Sequence, residues 1–324
     1  MTTFKEIRGT AIESVSSDPT NPEVGQIWYN NTIGVLKGNL LVADAWASGG
    51  NLGTRRTAIG GAGTQTAGLG FGGSGPGTAT EEYDGSTWSP GGNLPAQRSG
   101  IGGCGTQTAG LGFGGFNPSE VVQNATYEYD GSAWTAGGNL GTARYTLGSA
   151  GTQTAGLAFG GFTFPGPNTT STEEYDGSAW TAGGSLTTAR RDLGSAGIQT
   201  SAIAIGGNPG SSPYATAISE EYDGSSWTAG GNLGTARYRL AGSGSSNSSA
   251  LAFGGSAPPS KNATEKYDGT TWTAVANLTT GRIALRGAGT QTVAIGFGGS
   301  IPPFTGTTEE YTDPTFAVQK VTLT

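Results

Sequence analysis

The stretch GTQTAGLGFGG at residues 63–73, followed at 81–88 by EEYDGSTW, decides the fold because close copies of it return along most of the chain. The copies keep phase. Trp46, Trp88, Trp134, Trp180, Trp227 and Trp272 lie 42, 46, 46, 47 and 45 residues apart. Glycine pairs recur at Gly72/Gly73, Gly114/Gly115, Gly160/Gly161, Gly206/Gly207, Gly254/Gly255 and Gly298/Gly299. Tyr83, Tyr129, Tyr175, Tyr222, Tyr267 and Tyr311 follow them in phase, as do Arg56, Arg98, Arg144, Arg190, Arg237 and Arg282, which makes six units. Within a unit, apolar and small residues alternate in short runs separated by GTQT, DGS and GGNL turns, with no helical period. The pattern predicts four short strands: one after the Arg, one ending in the Gly pair, one carrying the Tyr and one carrying the Trp. Such a unit cannot bury both faces alone, so neighbours must stack, and a closed ring of blades leaves only short edges exposed.

Composition narrows the function classes. With 61 Gly and 15 Pro in 324 residues, a sequence without a period would be low-complexity; here the period turns them into turn residues. The 16 basic against 23 acidic side chains, net −7, argue against a nucleic-acid-binding surface. The absence of His removes Ser/His/Asp and Cys/His catalytic sets and histidine metal sites. A single Cys104 allows no intrachain disulfide and no multi-cysteine metal site. No apolar run reaches membrane-spanning length, and the first residues, MTTFKEIRGTAIESV, lack the layout of a signal peptide. Neither membrane insertion nor a cofactor or metal is expected, and the chain is not expected to be an enzyme.

The inserts between each Gly pair and the Tyr strand are SGPGTAT, FNPSEVVQNAT, FTFPGPNTTST, NPGSSPYATAIS, SAPPSKNAT and SIPPFTGTT, of 7, 11, 11, 12, 9 and 9 residues. Removing them from the Trp spacings leaves a scaffold of 35 residues, 36 in the unit where GSGSSNSS replaces the GTQT turn. Phe316 follows Trp272 by 44 residues around a 9-residue insert, so it falls in the same register. The segment FAVQKVTLT is therefore expected to complete the sixth unit, giving a repeat domain over 46–324. Residues 1–45 lie outside the register and read as a separate β module, with a hairpin turning at Asn30 and Asn31.

A Gly-Gly pair ending a strand, then a Tyr, a Trp five residues later and an Arg ten residues after that resemble the kelch repeat. The resemblance implies an all-β, six-bladed kelch-like β-propeller. Kelch folds have also carried copper-radical oxidase chemistry, which needs histidine ligands that this chain lacks. The stretch GQIWYNNTIGVLKGNLLVADAW at 25–46 resembles a module of bacteriophage tail-fibre and other virion proteins, and the near-identical repeats resemble kelch-like virion proteins of marine tailed phages. These resemblances imply a virion structural protein, in a tail fibre, tail tip or capsid decoration at the virion surface. The propeller would meet a host-surface glycan or protein, and residues 1–45 would hold other virion proteins or sister chains. A bacterial kelch-type adhesin or protein-interaction scaffold is the reading from a different class. A glycan-cleaving enzyme fits least, since glycosidase carboxylates are two unique residues and the Glu here repeat.

Each repeated feature also has a plain structural reading. Trp88, Trp134, Trp180, Trp227 and Trp272, with Trp46, are expected to fill the core between blades rather than to stack on sugars. Arg98, Arg144, Arg190, Arg237 and Arg282 are expected to be structural, paired with the repeated Glu81/Glu82, Glu128, Glu173/Glu174, Glu220/Glu221, Glu265 and Glu309/Glu310. Each Asp-Gly reads as a hairpin turn rather than a calcium ligand, and Cys104 as a small buried side chain. The inserts differ: they must emerge on one rim, vary in length, and carry Phe116, Asn117, Phe162, Phe164, Tyr214 and Phe304 as candidate binding residues. Exposed loops under no selection would look the same, and both readings stay open. The opposite rim of GTQT turns offers only short polar side chains.

Overall fold

The computed structural model describes residues 12–256, 261–301 and 303–321, so parts of the fifth and sixth inserts and the end of FAVQKVTLT lie outside the described residues. Among the described residues there is no helix, and 28 strands form seven four-stranded sheets. The chain divides into a small unit, residues 1–45 with 313–324, and a large repetitive unit, residues 46–312.

In the large unit the first sheet is typical. Its strands Gly60–Gly63, Gly68–Phe71, Thr80–Tyr83 and Trp88–Pro90 pair in sequence order, antiparallel throughout. The second to fifth sheets repeat this order, with inner strands Gly102–Gly105, Gly148–Gly151, Gly194–Ile198 and Ala241–Ser246. The sixth combines Arg286–Gly289, Val293–Phe297 and Thr308–Thr312 with Ala45–Ser48 as its fourth strand. The expected completion by FAVQKVTLT is therefore corrected: Trp46, not Phe316, stands in the outer strand. The turn chemistry explains why. Earlier units turn from third to outer strand on Asp-Gly, with the glycine at positive φ (Gly85 at 91°) and the next residue giving its N–H to the Asp (Ser86 to Asp84 Oδ1 at 2.8 Å), whereas in register the sixth has Thr312, Asp313 and Pro314 there. The turn thus loses its glycine at the positive-φ position, and proline has no N–H to give at the next, so the chain leaves. Strand Thr315–Lys320 pairs antiparallel with Val35–Val42 of the small unit, which moves the end of the repeat domain from 324 to 312.

The second strands, such as Gly68–Phe71 and Gly156–Phe159, are buried along their whole length, as strands covered on both faces must be. Their glycines are where backbones meet: a Cβ on Gly103 of the second inner strand would lie 2.9 Å from Gly61 N of the first. Each Gly pair ends such a strand with two positive φ angles, 66° and 99° at Gly72 and Gly73, a conformation that glycine adopts without steric cost.

Between sheets, the same contacts recur in all or nearly all units. Trp88, Trp134, Trp180 and Trp227 donate Nε1–H to Thr308, Thr80, Thr126 and Thr172 Oγ1 of the preceding sheet, each at 2.9 Å, and Trp46 donates to Thr264 at 3.1 Å. Trp272 uses Ser219 Oγ at 3.0 Å. Arg56, Arg144, Arg190, Arg237 and Arg282 are fully buried and reach Glu81, Glu173, Glu220, Glu265 and Glu309 at 2.7–3.1 Å. Arg98 departs from the expected pairing: Tyr127 occupies the position of the missing Glu, and Arg98 donates to its hydroxyl at 3.1 Å. The second Glu of each pair serves the next sheet, since Tyr83, Tyr129 and Tyr175 donate to Glu310, Glu82 and Glu128 at 2.5 Å. Burial, and then the neighbouring carboxylate, push these three hydroxyls up to about 12.

The GTQT turns do more than expected. Gln65, Gln107, Gln153, Gln199 and Gln291 each donate Nε2–H to the backbone oxygen of the conserved-phase Tyr in the preceding sheet, Tyr311, Tyr83, Tyr129, Tyr175 and Tyr267. In the unit lacking GTQT, Asn247 makes the same bond to Tyr222 O at 3.2 Å, beside a bulge between Gly244 and Ser246. Each turn is thus tied to its neighbour.

The small unit adds Glu13–Val15 in parallel to Ile27–Asn30, which pairs antiparallel with Val35–Val42. Its hairpin turns over 31–34, one residue later than expected, because Asn30 ends the strand and its Oδ1 accepts the N–H groups of Thr32 and Ile33. Asp18 gathers Trp28 Nε1, Asn30 Nδ2 and the Lys37 ammonium, the last at 2.6 Å, and these donors hold its carboxyl down to about 2.

Candidate binding face

Where each inner strand begins, the residue before the last apolar side chain adopts a left-handed conformation: Ala58, Gly100, Thr146, Asp192, Arg239 and Ala284, with φ of 50–63°. Only one is glycine, so the conformation is imposed by the surroundings at a cost of about 1 kcal/mol or more per residue. What imposes it is a cycle of backbone bonds. Ala58 N–H donates to Ala284 O, Gly100 to Ala58, Thr146 to Gly100, Asp192 to Thr146, Arg239 to Asp192, and Ala284 to Arg239, at 2.6–3.0 Å. Behind the cycle lies a cavity of about 150 Å³ lined by the inner strands of all six sheets. Arg286 takes the place that glycine or alanine holds in the other inner strands, and its guanidinium donates to Gly103 O at 2.6 Å and to Ser149 Oγ. Burial pushes Arg286 down to about 10.

The inserts lie on this side. The first residue of each is bridged to the residue just before a member of the cycle: Ser74 to Thr57, Phe116 to Ser99, Phe162 to Tyr145, Asn208 to Arg191, Ser256 to Tyr238 and Ser300 to Ile283. Those twelve positions vary from unit to unit while the surrounding scaffold repeats.

In the second and third units the variation produces an aromatic cluster. Phe116 meets Tyr145 edge to face, with centroids 5.0 Å apart; Tyr145 meets Phe162 at 5.6 Å, and Phe162 meets Phe164 at 6.2 Å. The Arg191 guanidinium lies over the Phe162 ring, 4.4 Å from its centroid, a cation–π contact. Arg191 also faces Asp192 at 3.6 Å, and Arg239 faces the same carboxylate at 3.7 Å. Burial raises the Asp192 carboxyl although both guanidinium groups lower it. Phe116, Glu120, Tyr145 and Phe164 line a cavity of about 190 Å³. Burial also raises the Tyr145 hydroxyl, with Arg191 opposing and Asp192 and Glu120 reinforcing.

Of the six candidate binding residues, the structure brings Phe116, Phe162 and Phe164 together. Asn117 lines a second cavity of about 190 Å³ with Phe116, Arg98 and Gln97. Its Oδ1 is occupied by the N–H groups of Ser119 and Val121, so its side chain shapes the loop. Tyr214 and Phe304 are 60% and 43% exposed and have no ring contact with the cluster among the described residues. Tyr145, Glu120, Arg191 and Asp192 were not singled out from the sequence. The signal for Tyr145 and Arg191 was a comparison of units: the position is Thr, Ser, Tyr, Arg, Tyr, Ile in turn. Cys104 is buried, with its thiol pushed up to about 12 by burial, so it holds no reactive thiolate. Among the described residues no three Asp, Glu or Cys side chains converge as they would around a metal.

No protein-family model matches the chain, and no curated protein matches it significantly.

Proposed function

We propose that the large unit is a closed, six-bladed, kelch-like β-propeller, that the chain is a non-enzymatic structural protein of a bacteriophage virion, and that its insert face meets the host surface. Closure is supported by cycles that pass through all six sheets: the backbone bonds from Ala58 round to Ala284, the Trp-to-hydroxyl bonds, and contacts of the inner strand Arg286–Gly289 with Gly60–Gly63. The observation that carries the binding reading is the contrast on the insert face. The in-phase Trp and Tyr of the scaffold are buried or half-buried against the preceding sheet, while among the described residues of the large unit the most exposed aromatics, Phe164 at 57%, Tyr214 and Phe304, lie in the inserts. Rigid scaffolds with variable loops are where recognition concentrates. The small unit, outside the repeat register, is the attachment segment to other virion proteins or sister chains.

Two experiments test this. Mass spectrometry of purified virions should find the chain as a structural component; its absence there overturns the virion assignment. Shortening the inserts at 116–126, 162–172 and 208–219 to the length of SGPGTAT should preserve the thermal unfolding profile and abolish adsorption to host cells. Adsorption at the normal rate by the shortened protein overturns the assignment of the contact face.

A further inference from the structure

The cavity walled by Phe116, Tyr145 and Phe164 with Glu120 at its edge points to one ligand chemistry. We propose that it binds a quaternary or methylated ammonium group, of the kind carried by choline. The assignment rests on reading the insert face as the contact face, and it names what that face would recognise.

Three observations carry it. First, the rings are walls rather than a floor: Phe116 and Tyr145 stand at 67° to one another. A sugar stacks on one flat face, whereas a trimethylammonium group is roughly spherical and gains from ring faces and edges on several sides. Second, of the lining residues only Glu120 and Tyr145 carry polar side chains. A carboxylate is an acceptor only, so the cavity offers a sugar's hydroxyls few donors, yet supplies the counter-charge that a cation needs. The Glu120 backbone N–H is held by Asn117 O at 2.9 Å, which fixes the loop, while its carboxylate has no hydrogen bond or ion pair among the described residues. Third, the same cluster already holds a cation where the chain supplies one, Arg191 at 4.4 Å over Phe162. Asp192 faces that guanidinium at 3.6 Å, and neither Arg191 nor Arg239, which shares Asp192, lines the cavity with Glu120. The neighbouring cavity has rings and a carboxylate but no cationic lining residue. Its volume of about 190 Å³ accommodates a trimethylammonium head with its first methylenes.

Isothermal titration calorimetry of the full chain tests the assignment, with phosphocholine, its isostere 3,3-dimethylbutyl phosphate, in which carbon replaces the ammonium nitrogen, and glucose as probes. Phosphocholine should bind saturably, and the isostere about tenfold or more weakly because it lacks the charge that the rings and Glu120 attract. Phe164→Ala should abolish binding with an unchanged unfolding midpoint, since the ring is largely exposed. Glu120→Gln should weaken binding severalfold and flatten its dependence on salt. Phosphatidylcholine vesicles separate the sources: co-sedimentation identifies a lipid headgroup, and binding of free phosphocholine without co-sedimentation identifies a soluble or polymer-borne one, both in support. Equal affinity for the isostere, binding of glucose in place of phosphocholine, or no phosphocholine binding by the folded chain overturns the proposal. The two readings fail separately. Cells adsorbed by a chain that ignores phosphocholine sink the ligand assignment alone, whereas phosphocholine binding by a chain that adsorbs to no cell sinks the host-contact reading alone.

Discussion

In the outer strands, Trp46, Trp88, Trp134, Trp180 and Trp227 each pack 4.7–4.9 Å from a phenylalanine of the preceding sheet and give their N–H to a threonine. On the insert face, Phe116, Tyr145, Phe162 and Phe164 touch mainly one another, and more than half of Phe164 faces water. Both sets are aromatic, and both join neighbouring repeats. They differ in what the contact satisfies. A repeated contact closes a hydrogen-bonding account at every unit, so changing it leaves a buried group without a partner. The loop cluster occurs in two units of six, and the others keep their fold with Ser or Asn at the place of Phe116 and Phe162 and with Thr, Arg, Tyr or Ile at the place of Tyr145. In a repeat protein, then, repetition marks what holds the sheets together, and local departure marks where another molecule could be met.

The comparison can be broken at several places. The largest effect expected is collective. The hydroxyls of Tyr83, Tyr129, Tyr175 and Tyr267 sit at about 12 in the folded protein, against 10 for an ordinary tyrosine. A raised folded value means that the folded state holds protons the unfolded state has lost, so the stability is complete below pH 10 and disappears as pH rises toward 12. Denaturant midpoints should be flat up to about pH 10 and then fall steeply; tyrosinate absorbance developing with no loss of stability would show that the inter-sheet Tyr–Glu bonds are not structural.

Trp180→Ala should cost about 3–5 kcal/mol in equilibrium unfolding, the range for large core aromatics. A loss of ligand binding with stability intact would move Trp180 to the other side of the comparison. Glu309→Ala strands the buried Arg282 guanidinium and should cost about 3 kcal/mol, softened because Arg282 also donates to the carbonyls of Gly298 and Thr307. Gln153→Ala removes bonds to Gly110 O and Tyr129 O of the preceding sheet and should cost about 1 kcal/mol. Phe164→Ala, at the small end, should change stability by less than about 0.5 kcal/mol; a change of several kcal/mol would make the loop cluster part of the core.

The six units and their four strands were legible because period, turn residues and in-phase aromatics all gave the same answer. The roles of Arg and Glu were legible as a class, but not their division of labour, which sends one Glu to an Arg and the other to the next sheet's Tyr. The outer strand of the sixth sheet was misread because the constant 35-residue spacing placed Phe316 in register. The contrary sign was present in the turn, Asp313 where the other units have glycine and Pro314 where they have Ser or Thr, and local turn chemistry outweighs register. The candidate site was half legible. Phe116, Phe162 and Phe164 stood out as loop aromatics, but Tyr145 and Arg191 sit in the connection from outer to inner strand, and only the fold shows that this connection is bridged to the insert. Glu120 carries no sequence signal at all.

The pairing of Ala45–Ser48 with the last repeat also governs when the molecule can finish folding. Its strand leaves the ribosome before any other strand of the large unit, while its partner strand Thr308–Thr312 leaves last of them. Until then Trp88 has no Thr308 to receive its N–H and the strand Ala45–Ser48 has no partner to pair with. Joining ends so far apart carries the largest loop-closure entropy in the chain and belongs among the slowest kinds of contact to form. Through synthesis Ala45–Ser48 therefore waits unpaired, able to join the wrong copy. A circular permutant that carries residues 45–48 behind Thr312 would turn this last, distant encounter into a local hairpin and should refold faster at unchanged stability.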